Sequence, residues 1–407
     1  MCNYINNFAF MLTIKKLSSI FKAKPIIMKS KSTILSLLLI GGLTTLIVSC
    51  DNKPKSSDTA EVNEYAKDSV SDKNEDVSLK PSESAPVWGT TILPEMQVVM
   101  EKLATLGGKP IETLTAKEAR LQPTPTDAVM AVMKDNNMPM PTALCDTTSM
   151  DIPVTGGTTH VHIYTPQKGT APFPVIVYYH GGGFVIADVE VYHGSTQGLC
   201  EMTGAIVVSV EYPKGPEHKF PMAHTVAFDA YKWVLKNAAS FKGDASKIAL
   251  VGESAGGNLA ANVSIMARDK KMQMPFYQVL VYPIANNDMN SASYVKYANA
   301  KPLSKPMMAW FVKNYLTSTA QAADPRISLV KANLKGLPKT LIIGAEIDPL
   351  QTEGKLLVDK LKEADVETDY ELYNGVTHEF FGMALVVPEA KKAQQLASKK
   401  IKNAFGM

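Results

Sequence analysis

The stretch 247–260 constrains this chain more than any other. Lys247-Ile248-Ala249-Leu250-Val251 carries an apolar run that reads as a buried parallel strand; it breaks at Gly252, and a helix-compatible run starts near Gly256. Between them, Gly252-Glu253-Ser254-Ala255-Gly256 holds one serine among small residues. That pattern describes a sharp strand-to-helix turn which lifts the serine above the end of a sheet, and side chains at Gly252 and Gly256 would clash along so tight a path. A glycine-rich turn with an incidental serine has the same spelling, so the rest of the chain has to decide what the turn is for.

Around this turn, strand and helix patterns alternate. Paired strand signals at 149–154 and 159–165 flank Gly156-Gly157, a hairpin turn. Apolar strands follow at 173–179, 205–210, 248–251, 277–282, 340–344 and 367–372, with helical runs at 226–238, 353–364 and 389–404. An antiparallel start followed by alternation predicts an α/β fold with a mostly parallel central sheet flanked by helices. Helical patterns precede the first strand: Met96, Val99, Met100, Leu103 and Leu106 recur at three-to-four spacing, and further runs lie at 116–120 and 126–134. They stand outside any βαβ unit and are free to form a lid. Residues 286–329 are irregular apart from a helical run at 307–316. The expected cap segments are therefore 93–145 and 286–329, within a folded domain spanning 93–407.

The N-terminal part has a different character. Met28-Lys29-Ser30-Lys31 is basic, 34–48 is apolar but softened by Gly41, Gly42, Thr44 and Thr45, and the run ends Ile47-Val48-Ser49-Cys50. A short basic region, a short apolar core and small residues before a cut describe a signal peptide, since a spanning helix needs about 20 apolar residues. An uncleaved anchor is the rival. Residues 1–49 form the leader region with Met28 as the expected start, and the last four residues resemble the lipobox of bacterial lipoproteins, which marks Cys50 for lipidation. Residues 51–85 are rich in Ser, Asp, Glu, Lys and Asn and bury too little to offset their ordering entropy. The segment 50–92 is expected to be a flexible linker, and the protein to be exported and lipid-anchored to a cell-envelope membrane. The formal net charge of +3 gives no nucleic-acid footprint. The four cysteines match no zinc pattern; whether Cys145 and Cys200 pair stays open.

Acyl transfer by serine needs a nucleophile, a base, an acid that orients the base, and donors for an oxyanion. Each has a candidate at a strand end. Ser254 is the nucleophile. His180-Gly181-Gly182-Gly183-Phe184 follows the strand 173–179, and such a loop offers backbone N–H groups that complete an oxyanion hole with the amide after the nucleophile. The donors are assigned to Gly181, Gly182 and Ala255. Gly183 and Glu253 support these motifs, and His180, which precedes the nucleophile, is expected to fix the loop. Asp348 follows the strand 340–344 and is the expected acid, with Glu346 as its rival. Of seven histidines, His378 alone follows the serine and an acid, in the order Ser…Asp…His. Methionines and aromatics in the cap segments (Met96, Met100, Met130, Met133, Met307, Met308, Trp310, Phe311) suit an adaptable apolar pocket, for which Phe184, Met307, Trp310 and Phe311 are the candidates.

Taken together, Tyr178-Tyr179-His180-Gly181-Gly182-Gly183-Phe184, Glu211-Tyr212-Pro213-Lys214-Gly215-Pro216-Glu217-His218-Lys219-Phe220-Pro221, Gly252-Glu253-Ser254-Ala255-Gly256-Gly257-Asn258, Glu346-Ile347-Asp348-Pro349-Leu350 and His378-Glu379-Phe380 resemble the hormone-sensitive-lipase-like family of α/β-hydrolases from about Leu93 to the C-terminus. Even 111–120 resembles that family's N-terminal cap. Glu253 stands where most members have Asp, Glu379 where Gly usually follows the histidine, and Pro213-Lys214-Gly215 where Arg-Leu-Ala is usual. The resemblance implies a cofactor-free serine carboxylesterase acting on small-molecule esters with short- to medium-chain acyl groups. An amidase or deacetylase on the same triad is the alternative. A ligand-binding protein on a dead hydrolase scaffold would lack the triad, and a structural envelope lipoprotein would leave the strand-end motifs unexplained. The oligomeric state is open.

Overall fold

The computed structural model describes residues 78–407. The expected leader, Cys50 and the linker as far as residue 77 lie outside the described residues. Residues 78–92, grouped with the linker from their sequence, lie against the domain. Glu101 accepts from Ser82 N and Oγ at 2.8 and 2.6 Å, and Gln97 Nε2 donates to Glu83 O at 2.8 Å. Leu79 and Ile92 are buried.

Among the described residues, eight strands make one sheet: β1 (Cys145–Val154), β2 (Gly157–Pro166), β3 (Phe173–Tyr179), β4 (Ile206–Val210), β5 (Gly243–Glu253), β6 (Tyr277–Val281), β7 (Lys339–Ile347) and β8 (Thr368–Thr377). Their order is β1-β2-β4-β3-β5-β6-β7-β8. β2 pairs antiparallel with β1 and β4, and every other pair is parallel. The strand-to-helix alternation has thus produced the expected α/β architecture. Successive residues of β3 serve opposite faces, as a period of two requires. Val175, Val177 and Tyr179 enter the core layer that also holds Ala227, Tyr231 and Leu259, whereas Ile176 and Tyr178 enter the layer with Leu199, Ala393 and Ala397. The helices are α1 (Pro94–Thr105), α2 (Ala116–Ala119), α3 (Pro125–Asp135), α4 (His193–Thr203), α5 (Met222–Asn237), α6 (Ala255–Asp269), α7 (Ala292–Lys296), α8 (Lys305–Tyr315), α9 (Gln351–Glu363) and α10 (Pro388–Phe405). α5, α6 and α9 supply the first layer, and α4 and α10 the second.

Two differences from the sequence reading have physical causes. α4 has no counterpart in the predicted elements. Its sequence, HGSTQGLCEMT, holds two glycines and several short polar residues, a weak helix former; packing of Leu199 and Cys200 into the core stabilises it instead. β8 continues past the expected end at residue 372 to Thr377, through Asn374-Gly375, a pair that signals a turn. An irregularity in the β7–β8 register between Ala345 and Ile347 absorbs the deviation, and Ile347 pairs with Thr377 beyond it. α1 is fastened to this end of the sheet, since Leu93 N donates to Gly375 O at 2.8 Å. Cys145 and Cys200 are free, buried thiols. The neighbouring Cys145 thiol, with burial, pushes the Cys200 thiol far above its ordinary pKa.

The sheet order turns back on itself between β4 and β5, with β3 in the middle. Crevices outside the carboxyl ends of parallel strands at such a switch point are where open α/β sheets place ligands. The glycine loop leaves β3 and the serine turn leaves β5, so the two motifs are neighbours for topological reasons alone.

Candidate active site

Ser254 sits at φ 54°, ψ −115°, a backbone region that non-glycine residues rarely occupy. The turn is held by its own hydrogen bonds: Ser254 N donates to Val281 O at 2.9 Å, and Ser254 O accepts from Asn258 N and Ile284 N at 3.1 Å each. The glycine requirement at 256 is steric, because a Cβ there would collide with the main-chain carbonyls of Tyr179 and His180, where the glycine loop begins.

His378 follows the last residue of β8, and Asp348 follows the last residue of β7. These adjacent strand ends bring the two side chains together: His378 Nδ1 lies 2.6 Å from Asp348 Oδ2. His378 Nε2 lies 2.9 Å from Ser254 Oγ. All three residues are buried. Asp348 Oδ1 accepts from Leu350 N at 2.8 Å, which fixes the carboxylate's rotation. Burial works to lower the His378 pKa, but the Asp348 charge and hydrogen bond, helped by Glu379 and Glu253, outweigh it and hold the imidazole above its ordinary value. Glu346, the rival acid, is occupied elsewhere. It accepts from Thr91 Oγ1 and Gly375 N, each at 2.8 Å, and so ties down the irregular part of the β7–β8 pairing.

The glycine loop is clamped from outside. Tyr212 Oη donates to the carbonyls of His180 and Gly181 at 2.9 Å, and Gly182 O accepts from Val185 N and Ile186 N at 3.0 and 2.9 Å. Gly182, at φ 94°, adopts a conformation open to glycine but not to residues with a Cβ. His180 is wholly buried, stacks on Tyr212 at 4.2 Å and shares a 2.8 Å contact between its Nδ1 and Gly181 O. Burial lowers its pKa, which keeps the ring neutral inside the loop. Ala255 is the first residue of α6, where helix geometry leaves N–H groups without an intrahelical partner.

Glu253 shows why a carboxylate can sit beneath the serine. It is completely buried, and the hydroxyls of Tyr178 and Tyr282 both donate to it. Burial, reinforced by the charge of Glu379, pushes its pKa up to about 7. The tyrosines come from the ends of β3 and β6, and their partnership with Glu253 has no local sequence signal. Neither has the network on the other side of α6. There Asn258 Nδ2 donates to Ile284 O and Ile327 O at 2.9 and 3.0 Å, Asn258 Oδ1 meets His224 Nε2 at 3.0 Å, and His224 Nδ1 meets Tyr315 Oη at 3.0 Å. Burial lowers the His224 pKa to about 4, so this imidazole is a neutral strut between the serine helix and the inserted segment.

Ser254 and His378 open into a cavity of about 440 Å³. Met100, Leu103 and Ile111 contribute to its wall from the N-terminal segment, and Met307 and Phe311 from α8. Gly182, Gly183, Tyr192 and Glu379 line it as well. A second, apolar cavity of about 230 Å³ shares Gly183 and Phe311 with the first and is lined by Phe184, Met308 and Tyr315. Of the expected pocket residues, Met307 lines the cavity that holds the serine, Phe311 lines both cavities and Phe184 lines the second alone. Trp310 lines neither. Its indole N–H donates to Leu114 O at 3.0 Å, the kind of partner that a buried tryptophan requires, and this turns the ring toward the N-terminal segment. Met130 is 42% exposed, away from both cavities.

The alpha/beta hydrolase fold family matches residues 176–382, which include the glycine loop, the serine turn, Asp348 and His378. The chain belongs to the alpha/beta hydrolase fold family. This α/β-hydrolase is 34% identical to carboxylesterase NlhH of Mycobacterium tuberculosis over 57% of its own length and 74% of that protein's. It is 30% identical to an ethyl acetate hydrolase of Pseudomonas putida over 69% and 88% of the two chains. A hyperthermophilic esterase from Pyrobaculum calidifontis superposes with a TM-score of 0.68 at 36% identity, covering 76% of this chain and 96% of that one. A thermostable esterase from Pseudomonas putida superposes with a TM-score of 0.71 at 29% identity, covering 79% and 99%.

Proposed function

We propose that this protein is a serine carboxylesterase that cleaves short- to medium-chain acyl esters through an acyl-serine intermediate. The observation that carries the reading is the unbroken run of contacts Ser254 Oγ–His378 Nε2–His378 Nδ1–Asp348, with Ser254 and His378 lining the cavity of about 440 Å³. Asp348 holds the Nδ1–H tautomer, which leaves Nε2 free to take the proton of Ser254 as Oγ attacks the ester carbonyl. The amides of Gly181, Gly182 and Ala255 receive the developing oxyanion, and each such donor is worth about 2.7–4 kcal/mol of transition-state stabilisation. The imidazolium then protonates the departing alcohol, and a water activated by the same nitrogen releases the acid. Relatives named as carboxylesterase and ethyl acetate hydrolase support the ester class.

The motifs around the glycine loop, the serine turn and His378 support placement in the hormone-sensitive-lipase-like branch. The leader and Cys50 support an exported protein anchored by lipid to a cell-envelope membrane. Labelling with a fluorophosphonate, followed by a series of nitrophenyl esters of rising acyl length, tests the enzyme reading. Wild type should label and hydrolyse, and labelling equal to that of Ser254→Ala would refute it. Fatty-acid incorporation lost in Cys50→Ser tests the anchor; unchanged incorporation would remove it.

A further inference from the structure

His378 is followed by a second acidic residue that the mechanism above does not use. Glu379 adopts φ 69°, a conformation favourable to glycine, and turns its side chain into the cavity that holds the serine. Its Oε1 lies 3.9 Å from His378 Nε2, and 20% of the side chain is exposed. Tyr192 Oη approaches both carboxylate oxygens, at 2.7 and 2.6 Å, from the wall. One phenolic proton cannot satisfy the roughly four acceptor sites of a carboxylate, so acceptor capacity remains toward the cavity.

The position of this carboxylate assigns it a side of the substrate. In acyl transfer, the leaving oxygen must come within hydrogen-bond reach of the nitrogen that protonates it, here His378 Nε2. Glu379 therefore stands beside the alcohol half of the ester, not the acyl half. Burial pushes the Glu379 pKa up from its ordinary value, the His378 charge and the Tyr192 hydrogen bond oppose it, and the Asp348 charge adds to the rise. Asp348 and Glu253 are close enough, with Glu379 itself, to act on the His378 charge. The cations near the cavity are committed or remote: Lys214 is bound to Glu211 and to Ala187 O, Arg120 is bound to Glu217, and Lys109 and Lys301 are exposed at the rim. Solvent and salt screen the last two.

We propose that Glu379 is a specificity-determining residue that selects esters whose alcohol carries a positive charge two or three atoms from the ester oxygen. The proposal rests on the esterase reading. A quaternary or protonated amino alcohol would place its charge in the space between Glu379 and the cavity mouth, and an anionic alcohol would be repelled from it.

The test compares butyrylcholine with 3,3-dimethylbutyl butyrate, its uncharged isostere, at pH 8. The quantity read is the ratio of their kcat/KM values, in which any general damage to the catalytic machinery cancels. Wild type should favour the cationic ester about tenfold, the scale of one unit charge at a few ångströms in a partly solvated cavity. In Glu379→Gln the ratio should fall to about one. Glu379→Gly, which suits the positive φ and guards against misfolding of the first variant, should do the same. A wild-type ratio at or below one, or a ratio unchanged in both variants, would overturn the proposal while hydrolysis of the neutral ester upholds the parent reading. No hydrolysis of either ester, with no phosphonate labelling at Ser254, would overturn both.

Discussion

Replacing Asp348 by asparagine tests the proposed mechanism at one atom. In the structure Oδ1 accepts from Leu350 N at 2.8 Å and Oδ2 faces His378 Nδ1 at 2.6 Å, with both residues buried. An asparagine in the same pocket has only one good orientation. Its carbonyl oxygen must stay with the Leu350 N–H, since a reversed amide would set two donors against each other in a site closed to water. The amide NH₂ then faces Nδ1 and obliges that nitrogen to accept, so the ring proton moves to Nε2. In that tautomer Nε2 can no longer take the proton of Ser254. Loss of the tautomer in a Ser-His-Asp site costs about 10⁴ in kcat, equivalent to about 5 kcal/mol of transition-state stabilisation. The fold should survive, because the variant keeps the shape and the bond to Leu350. The assay is kcat/KM on nitrophenyl butyrate alongside the melting temperature. A well-folded Asp348→Asn enzyme retaining activity within tenfold of wild type would show that Asp348 does not control the His378 tautomer.

Three further outcomes follow from the same geometry. His378 must be neutral to act as base, and its pKa is raised above 6.5 against the opposing effect of burial; the acid limb of kcat/KM should therefore lie above pH 6.5, and Glu379→Gln should move it down, with an unshifted limb refuting the coupling. Glu353, buried with Oε1 accepting from Ala285 N at 2.8 Å, has its pKa pushed by burial from 4.5 to about 8. A raised folded-state pKa gives stability that is complete below pH 4.5 and lost as pH rises through about 8, so chemical denaturation should show a decline of roughly 3–5 kcal/mol across that window and a flatter profile in Glu353→Gln; equal slopes would refute it. Phe311 lines both the cavity of about 440 Å³ and that of about 230 Å³, so Phe311→Ala should join them and shift the preferred acyl chain to greater length; an unchanged optimum in a folded variant would remove Phe311 as a partition.

Much of this was legible in the chain because the motifs are local backbone devices. A strand that ends in Gly-Glu-Ser-Ala-Gly has few ways to continue, and a loop beginning His-Gly-Gly-Gly is shaped by its glycines wherever it lies. The alternation of strands and helices, and the order of Ser254, Asp348 and His378 along it, sufficed to nominate the groups that the structure brings within hydrogen-bond reach. The parts that stayed hidden depend on which strands are neighbours. The sequence offered Asp348 and Glu346 two residues apart, and only the irregular β7–β8 pairing decided that one faces His378 and the other Gly375. Trp310 looked as suitable for the pocket as Phe311 until packing gave its N–H a partner at Leu114 O. Glu253 and Glu379 were visible as departures from a pattern, but a one-dimensional pattern carries no dielectric and no distance. The sheet order put two tyrosines on Glu253 and the residue that precedes α4 put a third on Glu379, and those contacts determine what the two carboxylates around the serine can do.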